Sequence, residues 1–190
     1  MSQDEARFPM VPTRTATLGV KGHRPTVGTR DGKDLLYVFA VVNRVRAAVH
    51  ANTLESPKDA KRRTGPTKTR RLPAAFAAHR RPVGRTYPAE QPPEGGLLID
   101  NAPWHRGKPL NEALADNPPL RLYRLASYSP QRNPIERFWK KLRRRATPNR
   151  LFDTLADRKA SRRASLRYFQ TVRPKVKSIL EGHTKRKAAK

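Results

Sequence analysis

Hydrophobic and polar positions change their period several times along this chain. From Thr13 to Val42 the pattern is that of strands. Thr15-Ala16-Thr17-Leu18-Gly19-Val20 alternates loosely, Leu35 to Val42 is an unbroken β-favouring apolar run, and Asp31-Gly32 between them is a turn signal. An antiparallel meander is predicted here, with an earlier strand ending over Asp4 to Phe8 and a further one over Val45 to Leu54. After Gly95-Gly96 comes a compact buried-strand signal, Leu97-Leu98-Ile99, ending on Asp100. A polar loop, a helix near Leu110 to Ala115 and a second short strand over Leu120 to Leu125 follow. Strand-helix-strand order predicts that these two strands run parallel. Asn133 is a good N-cap and Pro134 suits a first helical position, so a helix should start at Pro134, with Ile135, Phe138, Trp139 and Leu142 on one apolar face. A last helix is predicted from roughly Asp153 to Leu180, with Leu155, Leu166, Phe169, Val172 and Val176 as core positions and a kink at Pro174.

The stretch from Glu55 to Pro93 breaks this order, since it holds seven Pro, and ten Lys or Arg stand against one Asp from Lys58 to Arg85. It reads as an irregular insert over about 57–93 with a short helix at most, sharing Leu72, Phe76 and Val83 on one face. Residues 1–180 would then form one α/β domain, and a basic tail over 181–190 is expected to be disordered. The whole chain has 190 residues and 42 Lys+Arg against 15 Asp+Glu, a formal charge of +27. A polyanion is the default partner of such a chain. Without any cysteine, zinc ribbons, iron–sulfur sites, disulfides and thiol nucleophiles are excluded. No apolar run approaches the roughly 20 residues of a membrane span. Acids rather than Lys or Arg near Met1 argue against an export signal, so a cytoplasmic, nucleoid-associated protein is expected.

Among so few acids, an Asp placed directly after three apolar strand residues is conspicuous. Asp100 lies where α/β sheets place ligand sites, at a strand's carboxyl end, although capping the following loop is an equal account. Glu136 sits in the first turn of a helix, where the macrodipole alone favours an anion. Asp4 and Glu5 read by themselves as a solvated terminus. If Asp4, Asp100 and Glu136 met at one sheet edge they would repel each other unless a cation lay between them, and oxygen ligands suit Mg²⁺ or Mn²⁺. Two such ions would clamp the attacking and leaving oxygens of a phosphoryl transfer. Lys140, Lys141, Arg143, Arg144 and Arg145 follow Glu136 with no interleaved acid and would draw in phosphates.

The segments Leu97-Leu98-Ile99-Asp100-Asn101-Ala102-Pro103-Trp104-His105 and Tyr128-Ser129-Pro130-Gln131-Arg132-Asn133-Pro134-Ile135-Glu136-Arg137-Phe138-Trp139 resemble signature blocks of mariner-like bacterial insertion-sequence transposases, the DDE superfamily endonucleases. Asp4-Glu5-Ala6-Arg7-Phe8 resembles the first block. The resemblance implies a ribonuclease-H-like fold, a mixed five-stranded sheet flanked by helices; in departure from the family pattern Asp4 lacks the apolar residues that should precede it, so the first strand is expected to be cut short and Asp4 loosely anchored. It implies Asp4, Asp100 and Glu136 as catalytic and metal-binding residues, two Mg²⁺ or Mn²⁺ ions, and cleavage and strand transfer of double-stranded DNA at transposon ends by a homodimer. Asn101 and His105 would lie beside the site, contacting DNA or shaping the loop; satisfying local backbone groups is the alternative. Trp104 and Trp139 are expected as core or loop anchors. The resemblance implies helix-turn-helix modules before such a catalytic domain, for which no room is expected in this chain, and Arg132 and the Pro-rich insert depart from the pattern, so an N-terminally truncated, degenerate copy is expected. A non-catalytic basic nucleic-acid-binding protein is the rival reading, and a ribosome-associated basic protein a third.

Overall fold

The computed structural model describes residues 1–9, 11–29, 35–56, 74–76, 78–79, 96–102, 105, 107–115, 121–126, 129 and 132–181. Five strands, β1 (Ser2–Pro9), β2 (Leu35–Asn43), β3 (Ala48–Ser56), β4 (Leu97–Ile99) and β5 (Leu122–Arg124), form one sheet in the order β3-β2-β1-β4-β5. β1, β2 and β3 pair antiparallel, whereas β4 lies parallel to both β1 and β5, as the strand-helix-strand order predicts. Helix α1 (Lys108–Ala115) connects β4 to β5, and α2 (Ile135–Ala146), α3 (Leu155–Thr171) and α4 (Arg173–Glu181) follow. No helix among the described residues is long and apolar enough to cross a membrane.

The uninterrupted apolar run of β2 follows from burial on both sheet faces, which removes the usual polar alternation. Val38, Ala40 and Val42 join Ala6 and Phe8 of β1 in a core closed by Ile135, Phe138, Trp139 and Leu142 of α2, Leu166 and Phe169 of α3, and Val176 and Leu180 of α4. Tyr37, Phe39 and Val41 point to the other face, against Leu97, Ile99, Leu110 and Phe76. The short helix expected near Phe76 is seen at 74–76 and 78–79, while Leu72 and Val83 lie outside the described residues. So do the Asp31-Gly32 turn, Leu120 and the tail over 182–190.

The expected strand over 15–20 is absent. Leu18 is 99% and Val20 75% exposed, so no apolar face exists to hold a strand there. This segment is instead tied at its start to the end of α2, through Thr13 N–H to Thr147 O at 2.9 Å and Thr15 N–H to Asn149 Oδ1 at 2.8 Å. β3 begins at Ala48 rather than Val45, because Asn43 Oδ1 accepts from Val45 and Arg46 N–H and shapes a turn through Ala47, whose φ is 51°. The single kinked helix expected over 153–180 is two helices. Thr154 caps α3 by accepting from Asp157 N–H at 3.1 Å, Val172 leaves helical geometry, and Pro174, which lacks an N–H, falls in the first turn of α4, where none is needed.

Two arginines of α3 run into the core. Arg158 and Arg162 are each 1% exposed; Arg158 donates to Val11 O at 3.1 Å, and the Arg162 guanidinium lies 4.4 Å from the Phe8 ring centre. Burial lowers their pKa values to about 10 and about 9, the Arg158 charge adding to the effect on Arg162. A buried cation without a carboxylate partner costs stability. Arg162→Met should therefore raise stability by about 1–3 kcal/mol, whereas Leu142→Ala, cutting into the α2 face, should lower it by about 2–5 kcal/mol, both read from urea unfolding midpoints.

Candidate active site

Strand alternation sends consecutive side chains to opposite faces, so Asp4 and Glu5 cannot serve the same site directly. Asp4 shares the Ala6 and Phe8 face and looks toward α2, where Trp139 Nε1–H donates to its Oδ2 at 3.1 Å. The expectation of a loosely anchored carboxylate is thereby corrected, since Asp4 is held by an indole from the core on a strand that pairs with β2 along all its eight residues. Burial raises the Asp4 pKa to about 7, aided by the charges of Glu5 and Glu136 and opposed by the Glu5 backbone and Trp139 donors.

Asp100 follows β4 directly. The one pair Ser2↔Leu98 joins β4 to β1 in parallel, and Asp4 and Asp100 each stand two residues beyond that pair. Glu136 is exposed on the first turn of α2, and its charge reaches Asp4. Asn133 fixes this helix start. Its Oδ1 accepts from Ile135 N–H and its Nδ2 donates to Gln3 O of β1, both at 3.4 Å, so the turn carrying Glu136 is tied to the strand carrying Asp4.

On the other face of β1, Glu5 meets His105. The imidazole stands between two carboxylates, Nε2 at 3.2 Å from Glu5 Oε2 and Nδ1 at 2.7 Å from Asp100 Oδ1. Side-chain exposure is 0% for His105, 6% for Glu5 and 43% for Asp100. Burial pulls the His105 pKa down, but the hydrogen bonds and charges of Asp100 and Glu5 outweigh it and raise the value to about 9. Burial likewise pushes Asp100 up, yet the His105 and Ala102 donors with the His105 and Arg124 charges leave it below the ordinary carboxylate value. The sequence placed His105 beside the site, contacting DNA, shaping the loop or satisfying local backbone groups, and left Glu5 without a task; the period-2 rule applied to Asp4-Glu5 was the available signal. Asn101, the other loop residue singled out, donates from Nδ2 to Leu125 O at 2.7 Å and ties the ends of β4 and β5 together.

Beyond Glu136, Lys140, Lys141, Arg144 and Arg145 are exposed on α2, while Arg143 is half-buried with its guanidinium 5.4 Å from the Phe8 ring centre. Arg145 stacks 3.6 Å from the Tyr168 ring centre and keeps its outer edge in solvent. Together they make a cationic stripe leading from the carboxylates. The donor set is all oxygen, and the cost of charging Asp4 beside Glu136 is what a bound cation would relieve, so the residues fit a hard divalent ion. No group of three His, Cys, Asp or Glu side chains among the described residues is yet drawn together tightly enough to hold one.

This sheet, with an acid on β1, another just past the adjacent parallel β4 and a third on a following helix, defines a class. The chain belongs to the DDE superfamily endonucleases, whose family model matches residues 1–158. Solved structures of Mos1 transposase share the fold. The Mos1 mariner paired-end complex with Mn superposes with a TM-score of 0.60 at 17% identity, over 95% of this chain and 53% of that one. The paired-end complex with the left transposon end gives 0.56 at 16% identity, over 94% and 54%. The isolated catalytic domain of Mos1 mariner transposase gives 0.55 at 15% identity, over 95% of this chain and 78% of that domain. The chain thus spans about half the length of the Mos1 transposase chains it matches and has the ribonuclease-H-like fold of their catalytic domain. No curated protein sequence matches it.

A raised carboxylate pKa destabilises the fold once pH exceeds the unfolded value, and the loss is complete above the folded value. For Asp4 that window runs from 3.8 to about 7. In metal-free buffer, Asp4→Asn should therefore match wild type in thermal stability near pH 4 and exceed it increasingly up to pH 7, by as much as about 4 kcal/mol. Adding Mn²⁺ at pH 7.5 should raise the wild-type melting temperature and leave that of the variant unmoved.

Proposed function

We propose that this chain is the catalytic domain of a mariner-like transposase, which cuts DNA at transposon ends and transfers the freed strand to a target. The observation that carries the reading is the largely buried Asp4 carboxylate, on the strand beside the one that Asp100 follows and within electrostatic reach of Glu136. Mg²⁺ or Mn²⁺, two ions by the two-metal logic, would be held by Asp4, Asp100 and Glu136. Bound there, they supply Lewis-acid activation of a water for hydrolysis and then of a 3′-hydroxyl for strand transfer.

The protein's own part is placement. Trp139 and the Glu5 backbone steady Asp4, Asn133 holds the Glu136 turn against β1, and Asn101 joins the two parallel strands behind Asp100. Lys140, Lys141, Arg143, Arg144 and Arg145 bind the DNA backbone, releasing counterions and making affinity fall steeply with salt. The reading carries with it double-stranded DNA as partner, a homodimer as working unit and the cytoplasmic nucleoid as place of action.

The test is nicking of supercoiled plasmid in Mg²⁺ or Mn²⁺. Wild type should nick, Asp100→Ala and Glu136→Ala should fall to the metal-free background, and all three should bind DNA with the same salt dependence. Equal nicking by wild type and variants would remove the enzymatic reading. DNA binding without any nicking would favour the rival supported by the charge of +27, a basic nucleic-acid-binding protein without catalysis.

A further inference from the structure

β4 is only three residues long, and its register with β1 rests on the single pair Ser2↔Leu98. The ladder alone is a weak fixture for a carboxylate one residue beyond the strand. Something further must set where Asp100 stands relative to Asp4. The Asp100 carboxylate divides its two oxygens. Oδ1 receives His105 Nδ1 at 2.7 Å and Ala102 N–H at 2.9 Å, and Oδ2 makes no hydrogen bond among the described residues.

The imidazole that holds Oδ1 is itself immobilised. It is fully buried, its ring centre stands 4.4 Å from that of Phe76, its backbone carbonyl accepts from Arg124 Nη2 at 2.8 Å, and its backbone N–H donates to Ala102 O at 2.9 Å. Its far nitrogen faces Glu5, which belongs to β1. A chain of contacts therefore runs from β1 through Glu5 and His105 to Asp100, while Asp4 leaves the same strand one residue earlier on the opposite face.

Building on the endonuclease reading, we infer that His105, braced by Glu5, is a positioning residue that locks Oδ1 of Asp100 and presents Oδ2 to the divalent cation. Both strand carboxylates are then referenced to β1, and their separation does not depend on the short β4 ladder. Outer partners that orient a ligating carboxylate typically change metal affinity about 10–100-fold when removed. Glu5 reaches Asp100 by way of His105, so the effects of the two residues on that carboxylate are coupled rather than additive, beside the charge that Glu5 exerts on Asp4.

The experiment is a double-mutant cycle on the full chain, with Glu5→Gln, His105→Gln and the pair, read by Mn²⁺ dissociation constant from electron paramagnetic resonance and by plasmid nicking. Glu5→Gln is nearly isosteric and keeps a carbonyl acceptor, so it guards against loss of the fold, which circular dichroism checks in each variant. Expected is a Mn²⁺ dissociation constant raised about 10-fold or more in His105→Gln and by a smaller factor in Glu5→Gln, with the pair raised by less than the product of the two. Nicking should recover in part at saturating Mn²⁺, which a collapsed site would not allow. Wild-type affinity in the folded variants, or effects of the two substitutions that simply multiply, would overturn the inference while leaving the endonuclease reading intact. Failure of wild type itself to bind Mn²⁺ or nick would sink both.

Discussion

A carboxylate enclosed by a sheet and its covering helices must be answered by a donor or a cation, because water can no longer do it. β1 encloses two in succession, and the architecture around it is arranged by that demand. On one face Asp4 meets Trp139, a core residue of α2 whose ring also packs 6.5 Å from Phe8. On the other face Glu5 meets His105. The first acid remains only partly answered, which keeps its pKa raised; the second is answered by a group whose other nitrogen reaches Asp100. One strand therefore reaches two of the three candidate ligands, the first by its own side chain and the second by way of an imidazole.

The same demand explains how α2 is set. Its apolar side, Ile135, Phe138, Trp139 and Leu142, drives it onto the sheet by burial of hydrocarbon, which carries no information about orientation at its first turn. Directional contacts supply that. Asn133 spans from the helix start to Gln3 of β1, and Trp139 spans from the helix middle to Asp4. These two ties fix the first turn that carries Glu136, whose charge reaches Asp4, and the cationic half of the helix lies further along it. A helix carrying Glu136 in its first turn and Arg143, Arg144 and Arg145 in its last also suits its own dipole, so the functional charge order and the local one coincide.

The elements whose determinants are local were legible in the sequence. The apolar run of β2, the Leu97-Leu98-Ile99 signal ending on Asp100, and Asn133-Pro134 before the α2 face each depend on a few neighbouring residues, and each appears within a residue or two of its expected place. The segment over 15–20 failed because loose alternation does not create a partner strand, and its apolar residues stay in water. The helix expected to kink at Pro174 is broken at Val172, since a proline near the start of a new helix costs nothing there. At the site, motif resemblance supplied the candidate acids, and the environment of each was not legible. Contacts between positions 5 and 105 or 4 and 139 depend on how the sheet is assembled, and no local period encodes them.

The central claim is that Asp4, Asp100 and Glu136 converge on a divalent cation. Anomalous diffraction from crystals of the protein soaked in Mn²⁺ tests it most directly. The account predicts a Mn peak within about 2–2.5 Å of Asp4 and Asp100 carboxylate oxygens, with Glu136 turned toward it. Crystals saturated with Mn²⁺ that show no peak between these side chains, or that place the ion elsewhere on the molecule, would contradict it.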